Sequence, residues 1–165
     1  MLEEQNKDIA DQFYFNGLNQ LSQNRIVEAK LNFQKAIKMH KEHHQAYNSL
    51  GWVYETKHQD YKKAEECYAK AIEYAPEYPA GYVNYSRLLL ILNRFDELEK
   101  ILEKAIEIPG INKSRINNEY AVMDENRGEF AKAIEYYKKA LDYSFDMQEI
   151  NKFKEAIKRC EIKQQ

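Results

Sequence analysis

A pattern of small and aromatic residues recurs along the chain at a nearly constant interval. In its clearest form an alanine is followed four residues later by an aromatic residue and then by a second alanine, as in Ala64, Tyr68 and Ala71. The pattern begins at positions 29, 64, 98 and 133, so the steps are 35, 34 and 35 residues. A period of roughly 20 to 50 residues is the signature of a repeat architecture. The recurrence therefore predicts about four copies of one structural unit.

Each copy is predicted to contain two helices, named A and B in chain order, joined by a turn. Helix A carries a small residue twelve positions before the alanine pattern, or thirteen in the second copy. These small residues are Gly17, Gly51, Ser86 and Ala121. The turns are marked by Asn24, Asn93 and Gly128, residue types that tolerate the left-handed conformation in which helices often end. The second copy lacks such a residue, so its extra position is assigned to the stretch from Lys57 to Asp60.

Gly51 interrupts a segment that otherwise favours a helix, although an interior glycine costs a helix roughly 1 kcal/mol relative to alanine. It shares one helix face with Tyr47, Leu50 and Tyr54, and this face must pack on helix B. Two helix backbones approach closely only where the side chains between them are small. We therefore expect Gly51 to lie against an alanine or an aromatic residue of helix B.

The composition agrees with a helical and soluble domain. The chain has only 5 Gly and 3 Pro in 165 residues, which leaves little room for β-turns. Charged residues make up 32% and hydrophobic residues 44%, a balance typical of folded globular proteins. The net charge is -2 and no basic patch is visible, so we expect no nucleic-acid partner.

The second copy resembles the tetratricopeptide repeat. The pattern Tyr47-x2-Leu50-Gly51-x2-Tyr54, followed by Ala64-x3-Tyr68 and Pro76, is similar to W-x2-L-G-x2-Y…A-x3-F…P of that family. The resemblance covers about residues 10–147, and it is weakest in the third copy, where Ser86 and two leucines replace the usual residues. It implies an all-α fold, a right-handed α-solenoid of about four helix-turn-helix units. We expect a single domain over 1–165, with repeats at about 10–43, 44–78, 79–113 and 114–147.

The last twenty residues are predicted to close the repeat array. Ile150, Phe153 and Ile157 lie on one helix face, and lysines occupy most of the remainder. Stacked repeats leave an apolar face open at each end, which a helix with a polar outer side covers. We expect a capping helix at about 148–163. The alternative, a fifth helix A without its helix B, would cover the same face.

The resemblance also implies a binding surface, because the A helices of this family line a concave groove. The expected groove residues are Tyr14, Leu18, Asn48, Trp52, Val83, Asn84, Arg87 and Asn118. Their asparagine amides can pair with the backbone of an extended peptide, and tryptophan and tyrosine are enriched at binding hot spots. A guanidinium could hold a carboxylate by two bonds. The two-carboxylate clamp of chaperone-binding members is not expected, since the matching positions are Tyr14, Leu18, Ser49, Ala80 and Asn84.

Two functional hypotheses follow. The first is a scaffold that binds a peptide or helix of a partner protein in the groove. The second is self-association as a homodimer, because the run from Leu88 to Leu92 has more apolar residues than one core face needs. No nucleophile, base and phosphate or metal site converge in the pattern, so we expect neither an enzyme nor a cofactor.

His40, His43 and His44 are the residues most similar to a metal site. On one continuous helix His40 and His44 would share a face and could hold a metal ion. The repeat phase instead places them in the turn between two units, so we expect a solvated linker and no metal.

The segment MLEEQNKDIADQ has no basic stretch followed by an apolar run, which argues against a signal peptide. The longest apolar run is too short to cross a bilayer, so no membrane partner is expected. Cys67 and Cys160 lie far apart and suggest no disulfide framework. We therefore expect a cytoplasmic protein.

Overall fold

The structure is a computed structural model, and it describes residues 2–165. Within this range the chain is helical and has no strand, which confirms the all-α prediction. The helices are α1 (Leu2–Ser22), α2 (Ile26–Met39), α3 (His44–Val53), α4 (Tyr61–Tyr74), α5 (Pro79–Ile91), α6 (Phe95–Ala105), α7 (Lys113–Arg127), α8 (Phe130–Tyr143) and α9 (Met147–Lys163). The odd-numbered helices α1, α3, α5 and α7 are the A helices, and each is followed by its B helix. Met1, where the expected single domain begins, lies outside the described residues.

The chain divides into two compact units, residues 1–88 (unit 1) and residues 89–165 (unit 2), with the boundary inside α5. In unit 1, α1 packs on α2 and α3 packs on α4, around a core that includes Phe33 and Val53. In unit 2, α8 packs between α7 and α9. Its core joins Tyr137 of α8 to Phe153 and Cys160 of α9.

Gly51 lies where the sequence predicts, directly against helix B. A Cβ atom added at Gly51 would lie 2.7 Å from Cε1 of Tyr68 and 3.1 Å from Cβ of Cys67. Gly17 has the same relation to Phe33, whose Cε1 would lie 2.5 Å from the added atom. Both glycines therefore admit the aromatic anchor of the facing helix, because any larger residue would overlap its ring.

The turns between A and B helices follow the prediction in three units. Asn24, Asn93 and Gly128 all have positive φ, at 59°, 54° and 77°. In the second unit Gln59 takes this role with φ 53°, although its residue type gives no such signal. The extra residue of this unit widens the end of α3 into a π-helical turn, Tyr54–His58, which begins three residues before the predicted insertion. Single π turns of this kind commonly accommodate an inserted residue in a helix.

One sequence interpretation is corrected by side-chain burial. His43 is only 3% exposed and caps α3, so it is not a solvated linker residue. In the apolar run, Leu88 and Leu89 are fully buried, Leu90 and Leu92 are partly buried, and Ile91 is 49% exposed. Self-association through this run stays a prediction.

Candidate functional site

Six of the predicted groove residues lie on the A helices of unit 1. We call this set the A-face, and its members are Tyr14 and Leu18 of α1, Asn48 and Trp52 of α3, and Asn84 and Arg87 of α5. Direct contacts join its members and their neighbours. Nδ2 of Asn84 donates a 2.9 Å hydrogen bond to Oδ1 of Asn48, and the ring of Tyr14 lies 5.1 Å from that of His43.

The asparagine pair links α3 to α5. Asn48 is only 8% exposed, and its side-chain oxygen is already occupied by Asn84. Asn84 remains half-buried, so its own carbonyl oxygen can accept a bond from a ligand N–H group. The predicted role of pairing with a peptide backbone therefore fits Asn84 better than Asn48, which positions it.

Arg87 holds a carboxylate by two bonds, but this carboxylate belongs to Glu55 of the same unit. Nε of Arg87 donates to Oε1 of Glu55 at 3.0 Å, and Nη2 donates to Oε2 at 2.9 Å. The phenol of Tyr68 donates to the same Oε2 at 2.6 Å. Glu55 is 5% exposed, since the π turn directs it inward. The guanidinium predicted to meet a ligand therefore stabilises the fold.

The protonation states of this cluster follow from its burial. Burial raises the pKa of Tyr68, and the bond to Glu55 raises it further. Burial disfavours the charged form of Arg87, but its bonds to Glu55 outweigh that effect and leave the pKa of Arg87 above its ordinary value. Near neutral pH the phenol of Tyr68 therefore stays protonated as a donor and the guanidinium of Arg87 stays charged. Neither group can act as a general acid or base there.

Apolar side chains remain partly exposed beside this polar cluster. Leu18 is 37% exposed and Phe15, one turn before it, is 63% exposed. Trp52 is half-buried against the core of unit 1, and the ammonium of Lys57 lies 5.4 Å from its ring. Phe15 was not among the predicted residues, although its i, i+3 spacing to Leu18 was a usable signal.

The two remaining predicted residues are less informative. Val83 is half-buried near the middle of α5. Asn118 is half-buried on α7 and belongs to unit 2, so it is not part of the A-face of unit 1.

Metal binding needs clustered ligand side chains, and nucleophilic thiol chemistry needs a lowered thiol pKa. Among residues 2–165 no group of three or more His, Cys, Asp and Glu side chains could hold a metal ion. Burial raises the pKa of the Cys67 thiol to about 12, so it is protonated and a poor nucleophile near neutral pH. Over the same residues no helix is both long and apolar enough to cross a bilayer.

Comparisons with known proteins agree with the repeat geometry. The tetratricopeptide repeat profile matches residues 44–78, 79–111 and 115–147. PilF of Pseudomonas aeruginosa has a similar structure, with a TM-score of 0.78 and 21% identity over 96% of this chain and 76% of that one. MamA from Desulfovibrio magneticus RS-1 gives a TM-score of 0.74 and 16% identity, covering 94% of this chain and 91% of that one.

A third similar structure is YrrB, described as a TPR protein with an unusual peptide-binding site. Its TM-score is 0.73 at 19% identity, covering 97% of this chain and 85% of that one. Likeness at these identities shows the fold. The three profile matches together cover more than half of the residues and coincide with the two-helix units of the structure. The chain therefore belongs to the tetratricopeptide repeat family and is built from its two-helix repeats.

Proposed function

We propose that this protein binds a peptide or helical segment of a partner protein along the A-face of unit 1, in the concave groove typical of the family. Tetratricopeptide repeats generally mediate protein–protein interactions and are non-enzymatic scaffolds. The observation that carries the proposal is the exposure of Phe15 and Leu18, which lie one turn apart on α1 and are 63% and 37% exposed.

The chemistry of the A-face suggests what kind of segment it binds. Phe15, Leu18 and Trp52 favour a ligand with an apolar or aromatic side chain, because covering them removes apolar area from water. Asn84 can accept one backbone N–H bond from that ligand. Arg87 is already neutralised by Glu55, so an acidic side chain gains little there. The proposed ligand is therefore an apolar segment with few acidic residues.

Selection from a displayed library of random twelve-residue peptides tests this proposal. We expect the parent protein to enrich peptides with apolar or aromatic anchors. The double variant Leu18→Ser/Trp52→Ala should lose at least about tenfold in affinity for them, as for truncated hot-spot residues.

The matched control is Val27→Ser/Leu31→Ser, which changes two exposed apolar residues of α2 that lie on a B helix. This control should retain the enriched peptides. Peptides that bind the parent and the Leu18→Ser/Trp52→Ala variant equally well would refute the A-face as the binding surface.

A cytoplasmic location remains part of the proposal, and fractionation of the source cell tests it.

A further inference from the structure

The fourth repeat lacks an aromatic residue that the other three repeats have. Four positions before the small residue of each helix A stand Phe13, Tyr47, Tyr82 and Asn117. In the second repeat the ring of Tyr47 fills the space beside Tyr74, with 5.6 Å between their centroids. In the fourth repeat the Asn117 amide instead donates a 2.8 Å bond to the backbone carbonyl of Lys113. The space that an aromatic ring takes elsewhere is therefore not filled by residue 117.

A cleft of about 420 Å³ lies at this position in unit 2. Its lining includes Lys113, Tyr120, Tyr136, Lys139, Asp142 and Tyr143. Tyr136 stands where the second repeat has Cys67, but its ring stacks on Tyr120, with centroids 4.6 Å apart at 11°. The Tyr136 side chain, which is larger than that of Cys67, therefore forms an aromatic wall of the cleft and does not fill it. The ammonium of Lys139 lies 4.6 Å from the centroid of the Tyr136 ring, so an aromatic ring that enters the cleft would meet this cation as well as the wall.

An unusually exposed aromatic residue follows the lining of this cleft in the chain. Phe145 is 98% exposed in the short connection between α8 and α9, only two residues after Tyr143, which lines the cleft. Its neighbours Tyr143 and Met147 are 49% and 67% exposed. A phenylalanine held entirely in water loses all the stabilisation that burial would give. Unit 2 therefore carries an open aromatic cleft and an unburied aromatic side chain two residues after the last residue of its lining.

We propose that the cleft of unit 2 receives Phe145 from a second copy of this chain, in a reciprocal twofold dimer. A twofold interface pairs one patch with itself, so the donor ring and the receiving cleft must lie close together on each copy. Phe145 and Tyr143 meet this condition. The rim also carries both charge signs, Lys113 and Lys139 against Asp142, so a second copy can match it electrostatically. This dimer is argued from residues of unit 2 alone and is independent of the proposed function.

Sedimentation equilibrium tests the dimer. The parent should sediment with about twice the 19.7 kDa monomer mass at high concentration. Phe145→Ser removes the inserted ring from a fully exposed site, so the fold should persist while the dissociation constant rises at least about tenfold. Asn117→Tyr restores the side chain found at this position in the second and third repeats, and it should block the cleft with the same loss. Phe15→Ser, an exposed phenylalanine of unit 1, is the matched control and should dimerise as the parent does.

Mixing the two variants tests the reciprocal arrangement. Phe145→Ser keeps an open cleft and Asn117→Tyr keeps Phe145, so a heterodimer regains one of the two insertions. The mixture should associate more tightly than either variant alone. A parent that stays monomeric up to about 1 mM would overturn the proposal. So would a dimer that neither variant weakens.

Discussion

The phenol of Tyr68 donates a 2.6 Å hydrogen bond to Glu55, one helical turn after the glycine that admits the tyrosine ring. Gly51 makes room for the ring, Glu55 binds its hydroxyl, and Arg87 then neutralises Glu55. This network links three consecutive helical segments, because Glu55 lies in the π turn after α3, Tyr68 lies on α4 and Arg87 lies on α5. It explains why a buried carboxylate is tolerated in the core of unit 1.

Unit 2 has the same arrangement around a different glutamate. Tyr137 donates to Glu125 at 3.0 Å, and Arg159 of α9 binds that carboxylate at 2.8 and 2.7 Å. The corresponding pairs in the first and third repeats are Leu21 with Phe33 and Leu90 with Leu102. A glutamate therefore occurs only in the two repeats whose anchor has a hydroxyl.

A double-mutant cycle on Glu55 and Tyr68 should show strong coupling. Tyr68→Phe should cost about 1–2 kcal/mol by removing one buried hydrogen bond. Glu55→Leu should cost about 3 kcal/mol, because it leaves Arg87 half-buried without its carboxylate. The double variant should lose less than the sum, as measured by urea unfolding. The exposed pair Lys70 and Glu73 is the control, where Glu73→Leu should cost below about 1 kcal/mol. Additive losses at Glu55 and Tyr68 would contradict the shared network.

Glu125 should make unit 2 sensitive to acid. Its bond to Arg159, with further bonds to Lys163 and Tyr137, lowers the pKa of Glu125 from 4.5 to about 2, although burial acts in the opposite direction. A carboxyl with a depressed folded pKa stabilises the fold above its unfolded pKa, and this stability is lost as the pH falls from about 4.5 to about 2. The loss should be on the order of 1–2 kcal/mol, because Arg159 and Lys163 are about half exposed and solvent screens their charges.

Chemical unfolding at a series of pH values measures this effect. Glu125→Gln should reduce the dependence of the unfolding free energy on pH at acidic pH, because the amide does not titrate in this range. Glu155→Gln, at an exposed position on α9, should retain the parent slope. An unchanged slope in Glu125→Gln would show that other carboxyls cause the acid sensitivity.

Gly51 should tolerate no side chain. Gly51→Leu overlaps the Tyr68 ring and should cost about 1–3 kcal/mol in unfolding free energy. Gly51→Ala should also destabilise, despite the better helix propensity of alanine, since the added Cβ would lie 2.7 Å from a ring atom. At Gly81 the nearest atom is 3.2 Å away, on flexible Ile72, so Gly81→Ala should be much milder. Thermal unfolding of the three glycine variants measures these differences. A Gly51→Leu variant as stable as the parent would contradict the close packing of Gly51 on Tyr68.

His43 should lower the stability of unit 1 as the pH falls below about 6.5. Its Nδ1 accepts a 3.2 Å bond from the backbone N–H of Ala46, so its proton is on Nε2, which lies 3.1 Å from Asp11. Burial lowers the pKa of His43 from 6.5, and His40 and His44 lower it further against the effect of Asp11. The unfolded state then binds the proton more readily, so stability is full above pH 6.5 and declines below it.

Replacing this histidine by a residue that caps without titrating isolates the effect. His43→Asn should reduce the dependence of unfolding free energy on pH between about 5 and 7. Some dependence should persist, since burial lowers the pKa of His44 as well. His58→Asn, at an exposed site, is the control. A parent whose stability is constant over this range would contradict the assigned role of His43.

Sequence periodicity predicted the features that depend on spacing within one helix pair. The match of Gly51 to Tyr68 follows from the repeat phase, and so do the left-handed turns at Asn24 and Gly128. In each case the residue type and its position relative to the repeat are sufficient, because the same packing contact recurs in every unit.

The role of Arg87 could not be obtained in this way. Spacing assigns it to a helix face, but its partner Glu55 is 32 residues away. Glu55 is directed inward by a π turn, and the sequence signals the extra residue of this turn but not its π-helical form. The pairing of glutamate with a tyrosine anchor in alternate repeats was the usable clue. The buried capping role of His43 was also missed, because its position between two helices favoured a solvated linker and the sequence alone does not give its burial.

Fluorescence of Trp52 gives the most direct test of peptide binding at the A-face, because it is the only tryptophan among the 165 residues. Titration of the parent with a peptide selected from the displayed library should shift the Trp52 emission to shorter wavelength as water is excluded from the ring. Leu18→Ser should weaken the titration at least about tenfold, whereas Val27→Ser should leave it unchanged. A selected peptide that binds by calorimetry without changing Trp52 emission, and with equal affinity for Leu18→Ser, would contradict the account.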